Sequence, residues 1–339
     1  MAYTTINKPS ATAFNTKLYT GNYSTNVITG VGFQSDMTWI KSRSSTQSHV
    51  ITDAVRGITK NIYPNSTDGQ DTVSSGITAF GSDGFTLGAN NGFNENSATF
   101  ASWNWKANGA GSANTNGTVN STVSVNSTSG FSIVSWTHNG SANYTVGHGL
   151  GATPKMILAK TLSGGANWDI YHSDITSGNR LILNSTGGQV SGYWGANTVN
   201  NNTFSVGSAL ASNGTTMIAY CFVDVQGYSK FSSYLGNGNA DGTFVYTGFK
   251  PAFVITKASS ASGQGWHMQD NKRDGFNYDN KRLFANSSDA ESGTTRMDLL
   301  SNGFKYRDGD GNGNGISYIY MAFAEAPLVG TNGVTAKAR

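Results

Sequence analysis

The chain has 339 residues, and at about 100 to 200 residues per domain that length holds two or three domains. Only 12% of the residues are charged, 43 are glycine and just three (Glu95, Glu291, Glu325) are glutamate, which excludes a protein built on long helices, because helices draw on Glu, Lys, Leu and Ala. The formal net charge of +3 is carried by lysines and arginines that stand singly, so neither a nucleic-acid tract nor a polybasic membrane anchor is indicated, while 37% hydrophobic residues still supply a core.

The opening Met-Ala-Tyr-Thr-Thr-Ile-Asn-Lys-Pro lacks the basic start, apolar stretch and small-residue cleavage site of a secretory signal. No run approaches the ~18 apolar residues of a membrane span, so membrane insertion is not expected and synthesis in a cytoplasm is. Within this opening, Tyr3, Thr4, Thr5 and Ile6 have strand-forming character and Pro9 ends the run. Residues 1–12 therefore read as an arm that could add a strand to a neighbouring chain.

From Phe14 onward one order of signals recurs three times. A strand and a Gly/Asn turn begin at Phe14, Phe131 and Phe231. An aromatic or leucine after glycine follows at Phe33, Leu150 and Phe249, at distances of 19, 19 and 18 residues. An apolar strand then closes on Lys41, Lys160 and Lys257. An Asn-Ser-Thr/Ser triplet comes 24, 24 and 29 residues after those lysines, at Asn65, Asn184 and Asn286, so the third copy carries an insertion. Phe85, Phe204 and Phe304 lie 20, 20 and 18 residues further on, and each copy ends in an aromatic strand at 100–105, 217–222 and 318–323. Trp39, Met156 and Phe253, or their strand neighbours, are expected at matching positions.

The expected organisation is an arm (1–12), repeat one (13–108), a Gly/Asn/Ser/Thr-rich linker (109–129), repeat two (130–226), repeat three (227–327) and a tail (328–339). Six or seven short strands per copy, with no long amphipathic helix between them, predict an all-β fold of three tandem antiparallel β-sandwich repeats, jelly-roll or lectin-like. The short step between copies two and three predicts closer packing there than between one and two.

Few residues offer chemistry. Three mutually distant glutamates provide no carboxylate pair for glycoside hydrolysis, so a pair would have to be Asp with Asp, such as Asp270 with Asp274 or Asp308 with Asp310, which sit in expected loops. Asp53-x-x-Arg56 and Asp270-x-x-Arg273 occupy corresponding places and read as turn braces or as contacts to a neighbouring subunit. Tyr193, Trp194, Trp168 and Trp266 are the candidate platforms for stacking a glycan, although Trp168 alternates with Ile170 in the manner of a buried strand face. Asp308, Asp310 and Asn312 match the first half of a calcium loop, but Ile319 stands where its closing glutamate belongs. The five histidines and lone Cys221 show no metal spacing, and no cofactor is expected. Asn-x-Ser/Thr triplets read as a by-product of composition and not as glycosylation sites, given the lack of a secretory signal.

The segments Gly-Phe-Gln-Ser-Asp-Met-Thr-Trp-Ile-Lys-Ser-Arg-Ser (32–44), Thr-Asp-Ala-Val-Arg-Gly (52–57), Gly-Tyr-Ser-Lys-Phe-Ser-Ser-Tyr-Leu-Gly-Asn-Gly (227–238) and Tyr-Ile-Tyr-Met-Ala-Phe-Ala-Glu-Ala-Pro (318–327) resemble a family of uncharacterised structural or fibre-like proteins of marine tailed phages. The resemblance runs the length of the chain. It implies a place on the virion surface, as capsid decoration or short fibre, with other virion proteins as partners, and it carries over no catalytic residues. A homo-oligomer, a trimer first, is expected. A lectin-like adhesin for host glycans and a polysaccharide depolymerase remain the alternative readings.

Overall fold

The structure is a computed structural model that describes residues 4, 6, 8–141, 143–191, 199–207, 210–293 and 297–329. Strand Met37–Ser42 is buried at all six positions, as is Met156–Thr161. A strand buried on both faces must lie between two packed layers. In repeat one Met37–Ser42 belongs to a sheet ordered Phe14–Thr20, Thr99–Trp105, Met37–Ser42, Val50–Asp53, Lys60–Ile62, Asp71–Thr72, and one covering layer is a small sheet ordered Asn26–Thr29, Gly84–Leu87, Ile77–Gly81.

The same order recurs in the other two repeats. Repeat two runs Phe131–Thr137, Thr216–Phe222, Met156–Thr161, Asp169–His172, Asn179–Ile182, with Tyr144–Gly147 beside Thr203–Val206 as its small sheet. Repeat three runs Ser229–Leu235, Ser317–Pro327, Phe249–Ala258, His267–Asp270, Leu283–Phe284, with Phe244–Tyr246, Gly303–Tyr306, Met297–Leu300 as its small sheet. Every ladder in these sheets is antiparallel, so the expected all-β architecture of three sandwich repeats is the one found.

The three large sheets face one another. One apolar cluster takes residues from all three repeats, among them Phe14, Trp39, Trp103, Phe131, Leu158, Trp168, Phe231, Phe253 and Ile319. At its centre the equivalent closing-strand residues Trp105, Phe222 and Phe323 form a triangle, with ring centroids 6.4, 5.9 and 5.6 Å apart. Aromatic pairs at such distances add about 0.5 to 1.5 kcal/mol each beyond burial. Each small sheet lies on the outside and closes a core of its own around Phe85, Phe204 or Phe304, all at most 1% exposed. Phe33, Leu150 and Phe249 join those outer cores as well. The arrangement is an internal three-fold ring of sandwiches.

Register refines the repeat. Met37, Met156 and Phe253 are equivalent, each opposite Trp105, Phe222 or Phe323, and Trp39 corresponds instead to Leu158 and Ile255. Phe14 and Phe131 face Trp105 and Phe222, but in repeat three it is Ser229 that faces Phe323, while Phe231 faces Met321. The Phe231 ring thus enters the shared core two residues along the strand from the place of Phe14.

Two expectations about connections are corrected. The stretch 109–129 is not a free linker: Ser112–Asn114 and Ser121–Asn126 pair with each other and add to repeat two's large sheet, which reaches eight strands. The alternation at Val123 and Val125 outweighs the loop-like composition, and Val123 is buried. The shared core also joins repeat one to repeat three, so short connection length does not single out repeats two and three.

Candidate functional site

The side chains with the most chemistry to offer meet at the junctions between repeats, and they meet in equivalent ways. His49, Trp168 and Trp266 stand eight, eight and nine residues after Lys41, Lys160 and Lys257. The main-chain N–H of each donates to the amide oxygen of the triplet asparagine in its own repeat, at 2.9 Å to Asn65, 2.9 Å to Asn184 and 2.7 Å to Asn286. Each ring then reaches into another repeat. Trp168 Nε1 donates to the Tyr63 carbonyl and Trp266 Nε1 to the Ile182 carbonyl, both at 2.9 Å. His49 Nδ1 accepts from Trp39 Nε1, which leaves Nε2 to donate to the Phe284 carbonyl 2.9 Å away. Burial, helped by the Lys41 charge, holds this imidazole well below its usual range and hence neutral. Repeat two reaches to one, three to two, and one to three. The ring of contacts is closed.

The three lysines follow the same circuit. Lys160 Nζ donates to the carbonyls of Thr67 (2.9 Å) and Ala166, and Lys257 Nζ to those of Thr186 (3.2 Å) and Gln264 (2.8 Å). Thr67 and Thr186 belong to the triplets of the preceding repeats. Lys41 Nζ donates to Ser42 at 2.7 Å, and Asp289 and Glu291 of repeat three act on its charge. Burial lowers all three ammonium groups to about 8. Carbonyl partners let such buried charges stay.

A third set lies where the fourth strand of each large sheet ends. Asp53 and Asp270 accept main-chain N–H groups two and three residues on and hold Arg56 and Arg273 at 2.5 and 2.6 Å. The pairs brace turns, as one of the two sequence readings has it, and each also touches the next repeat of the same chain. Tyr220 donates to Asp53 at 2.7 Å, and Trp103 Nε1 to Asp270 at 3.1 Å. Burial works against the Asp270 charge, yet Arg273 and the two N–H donors outweigh it and hold its carboxyl below the usual range. Repeat two departs from this scheme. His172 takes the aspartate's place, with Nδ1 accepting from the Asp174 N–H at 3.1 Å, and Ile175 replaces the arginine. Met321 of repeat three stands at the strand position of Tyr220 and Trp103, so the side chain at that position carries no hydrogen-bond donor.

Several candidate residues find other employment. Trp168 and Trp266 are 0% and 1% exposed and spend their N–H groups on the neighbouring repeat, so neither is a platform for sugar. Tyr193 and Trp194 lie outside the described residues. Asn312 is buried with its amide turned onto the 236–243 loop: Nδ2 donates to Asn237 and Asn239, and Oδ1 accepts from the Asn237 and Thr243 N–H groups. Asp310 pairs with Arg282, and Asp308 accepts from the Asp310 N–H. These three side chains therefore do not converge as calcium ligands, and Asn312 is a structural amide. Among the described residues no group of three or more His, Cys, Asp or Glu is placed to hold a metal ion.

Within the arm, Tyr3 and Thr5 lie outside the described residues, whereas Thr4 and Ile6 are buried and Ile6 belongs to the shared core. The short helix Pro9–Thr12 packs beside strand Ser317–Pro327. Thr4 and Ile6 are thus used within the chain itself, and an arm free to join a neighbour is not what these residues form. The sequence reading missed His49 as the counterpart of the two tryptophans, although its offset from Lys41 was the available signal.

Three equivalent antiparallel sandwiches, closed into a ring by buried ties, make this a pseudo-threefold all-β protein. No helix among the described residues is long and apolar enough to cross a membrane. The chain belongs to a family described as a domain of unknown function, DUF7483, whose model matches residues 8–327. No curated protein and no solved structure matches it.

Proposed function

We propose that the chain is a structural protein, without catalytic activity, displayed on the surface of a tailed-phage virion as a capsid decoration or short fibre, where it serves assembly and contact with the surroundings. The observation that carries the reading is how the triplicated polar and aromatic residues are used. The lysines, the asparagine triplets, Trp168, Trp266 and the Asp–Arg pairs all serve as internal ties, which suits a part whose task is to keep its shape. The resemblance to phage structural proteins supplies the location. Mass spectrometry of purified particles, with immunogold labelling of intact ones, tests it: the protein should be present in many copies and reachable by antibody. Particles that lack it, or release of reducing sugar ends from host polysaccharide by the purified protein, would overturn the reading.

A further inference from the structure

Three turns of repeat two are built on one device. His138 Nδ1 accepts the Gly140 N–H at 3.0 Å, His148 Nδ1 the Leu150 N–H at 3.2 Å and His172 Nδ1 the Asp174 N–H at 3.1 Å. The residue between the two partners is Gly149 in the second turn and Ser173 in the third, so the device does not require an asparagine. The first turn has Asn139 there, and the nitrogen whose proton the ring accepts is the one that follows it. The ring itself is fixed. His138 is buried, Tyr144 packs edge-on to it at 5.0 Å, and Nε2 lies 3.4 Å from the Gly207 carbonyl, to which it can only donate. A proton on Nε2 leaves the Nδ1 lone pair turned to the Gly140 N–H.

The Asn139 side chain is held towards the same peptide. Its Oδ1 accepts the Ser141 N–H at 3.0 Å, which turns the amide carbonyl to the C-terminal side of the residue and sets a donor where negative charge would gather on that oxygen. Asn139 and Gly140 are both exposed, so water reaches the amide carbon. Gly140 has φ of +74°, and a Cβ there would come within 2.9 Å of Asn213 Cβ, so the position keeps a residue with no side chain to shield its nitrogen. Other Asn–Gly steps lack the base. The N–H groups of Gly214, Gly238 and Gly315, which follow Asn213, Asn237 and Asn314, donate to carbonyl oxygens at 2.8, 2.7 and 3.0 Å, and a carbonyl does not hold a proton near neutral pH.

We propose that Asn139 is a self-modification site, where the chain converts its own asparagine to aspartate and isoaspartate. His138 Nδ1 takes the proton of the Gly140 N–H as that nitrogen bonds to Asn139 Cγ, and the Ser141 N–H stabilises the charge on Oδ1. The Cγ–Nδ2 bond then breaks, Nδ2 leaves as ammonia with the proton that His138 returns, and a succinimide ring remains. Water reopens the ring. Addition at Cγ breaks the new bond and gives aspartate, and addition at the main-chain carbonyl breaks the original peptide bond and gives isoaspartate. Nothing is oxidised or reduced; a water is taken up for each ammonia released. Each chain undergoes the change once, so it is no enzymatic turnover, and it stands whether or not the chain sits on a virion. It removes one unit from the formal net charge of +3 and, in the isoaspartate form, lengthens the main chain by a methylene just after strand Phe131–Thr137.

The test ages the whole purified chain in neutral buffer made with heavy-oxygen water and reads each Asn–Gly step by peptide mapping in a mass spectrometer. Asn139 should convert about 10-fold or more faster than Asn213, with solvent oxygen incorporated and both aspartate and isoaspartate present. His138→Asn keeps an acceptor for the Gly140 N–H and carries no base. It should slow Asn139 about 10-fold or more and leave Asn213 within about 2-fold, since Gly214 donates to the main chain of residue 138 and not to its ring. Unfolding in urea should bring the two sites to within about 3-fold of each other, because the fold and not the dipeptide aligns the base. Conversion of Asn139 no faster than Asn213 in the native parent would overturn the proposal, and that comparison needs no variant. So would a rate ratio unchanged in urea, or an unchanged Asn139 rate in a His138→Asn chain that melts as the parent does.

Discussion

Asn184 uses both ends of its amide, accepting from the buried Trp168 N–H and donating to Asn167 at 2.8 Å. Asn184→Ala leaves that N–H without a partner, and an unpaired buried donor costs about 1 to 3 kcal/mol, which denaturant unfolding should show, with Asn65→Ala and Asn286→Ala close to it. The triplets were visible in the sequence as landmarks but read as a by-product of composition. Their meaning is a three-dimensional pairing that spacing alone does not state. Protonation gives a second prediction at this scale. Burial pushes His172 down to about 4, against an ordinary value near 6.5. A depressed value means the fold prefers the neutral ring, so the stability it contributes is full above about pH 6.5 and is lost as pH falls towards 4. His172→Asn keeps an acceptor for the Asp174 N–H and carries no such charge. Its melting temperature relative to the parent should therefore rise between pH 7 and pH 4, and a difference that stays flat would show the ring to be charged in the fold already.

At the level of elements, the fourth-strand turns come in two matched kinds: Asp–Arg facing Tyr220 or Trp103, and His172 with Ile175 at the junction where Met321 stands. Transplanting the polar kind into repeat two (His172→Asp with Ile175→Arg) buries an ion pair that no ring donor meets. A loss of about 1 to 3 kcal/mol is expected. Adding Met321→Tyr should recover part of it, read as a coupling energy of about 0.5 to 3 kcal/mol in a mutant cycle. The outer sheets make a simpler case. Phe204 is fully buried with its ring edge-on to Trp136 at 5.4 Å, and Phe204→Ala should cost about 3 to 5 kcal/mol in unfolding free energy. Strand order and the three buried phenylalanines were legible because period-two patterning and turn residues are local signals. The strands within 109–129 were hidden by composition, and the shift of Phe231 was hidden because a landmark marks a residue type and not a register. Exposure of Phe244 and Tyr246 was not legible for the same reason: residue type does not state which face of a strand turns outward.

For the whole molecule, one cluster spans all three repeats, so no repeat owns its inner core. Calorimetry should record a single transition whose calorimetric and van't Hoff enthalpies agree; three separable transitions would mean the repeats fold independently. The opening segment belongs to that unit. Deleting residues 2–12 removes buried Ile6 and Pro9 and should lower the melting temperature, and Ile6→Ala alone should cost about 2 to 5 kcal/mol. The threefold arrangement that a trimer would provide is already present in one chain, and this has a consequence for how such a surface changes over generations. In an assembly of three identical chains every mutation appears three times, so a substitution useful at one face is imposed on the other two and must be tolerated by all three contacts at once. Linking the copies removes that constraint. Histidine could replace aspartate at one junction against methionine, and a pair of outward rings could arise on one face alone, while the remaining faces kept the packing that holds the ring shut.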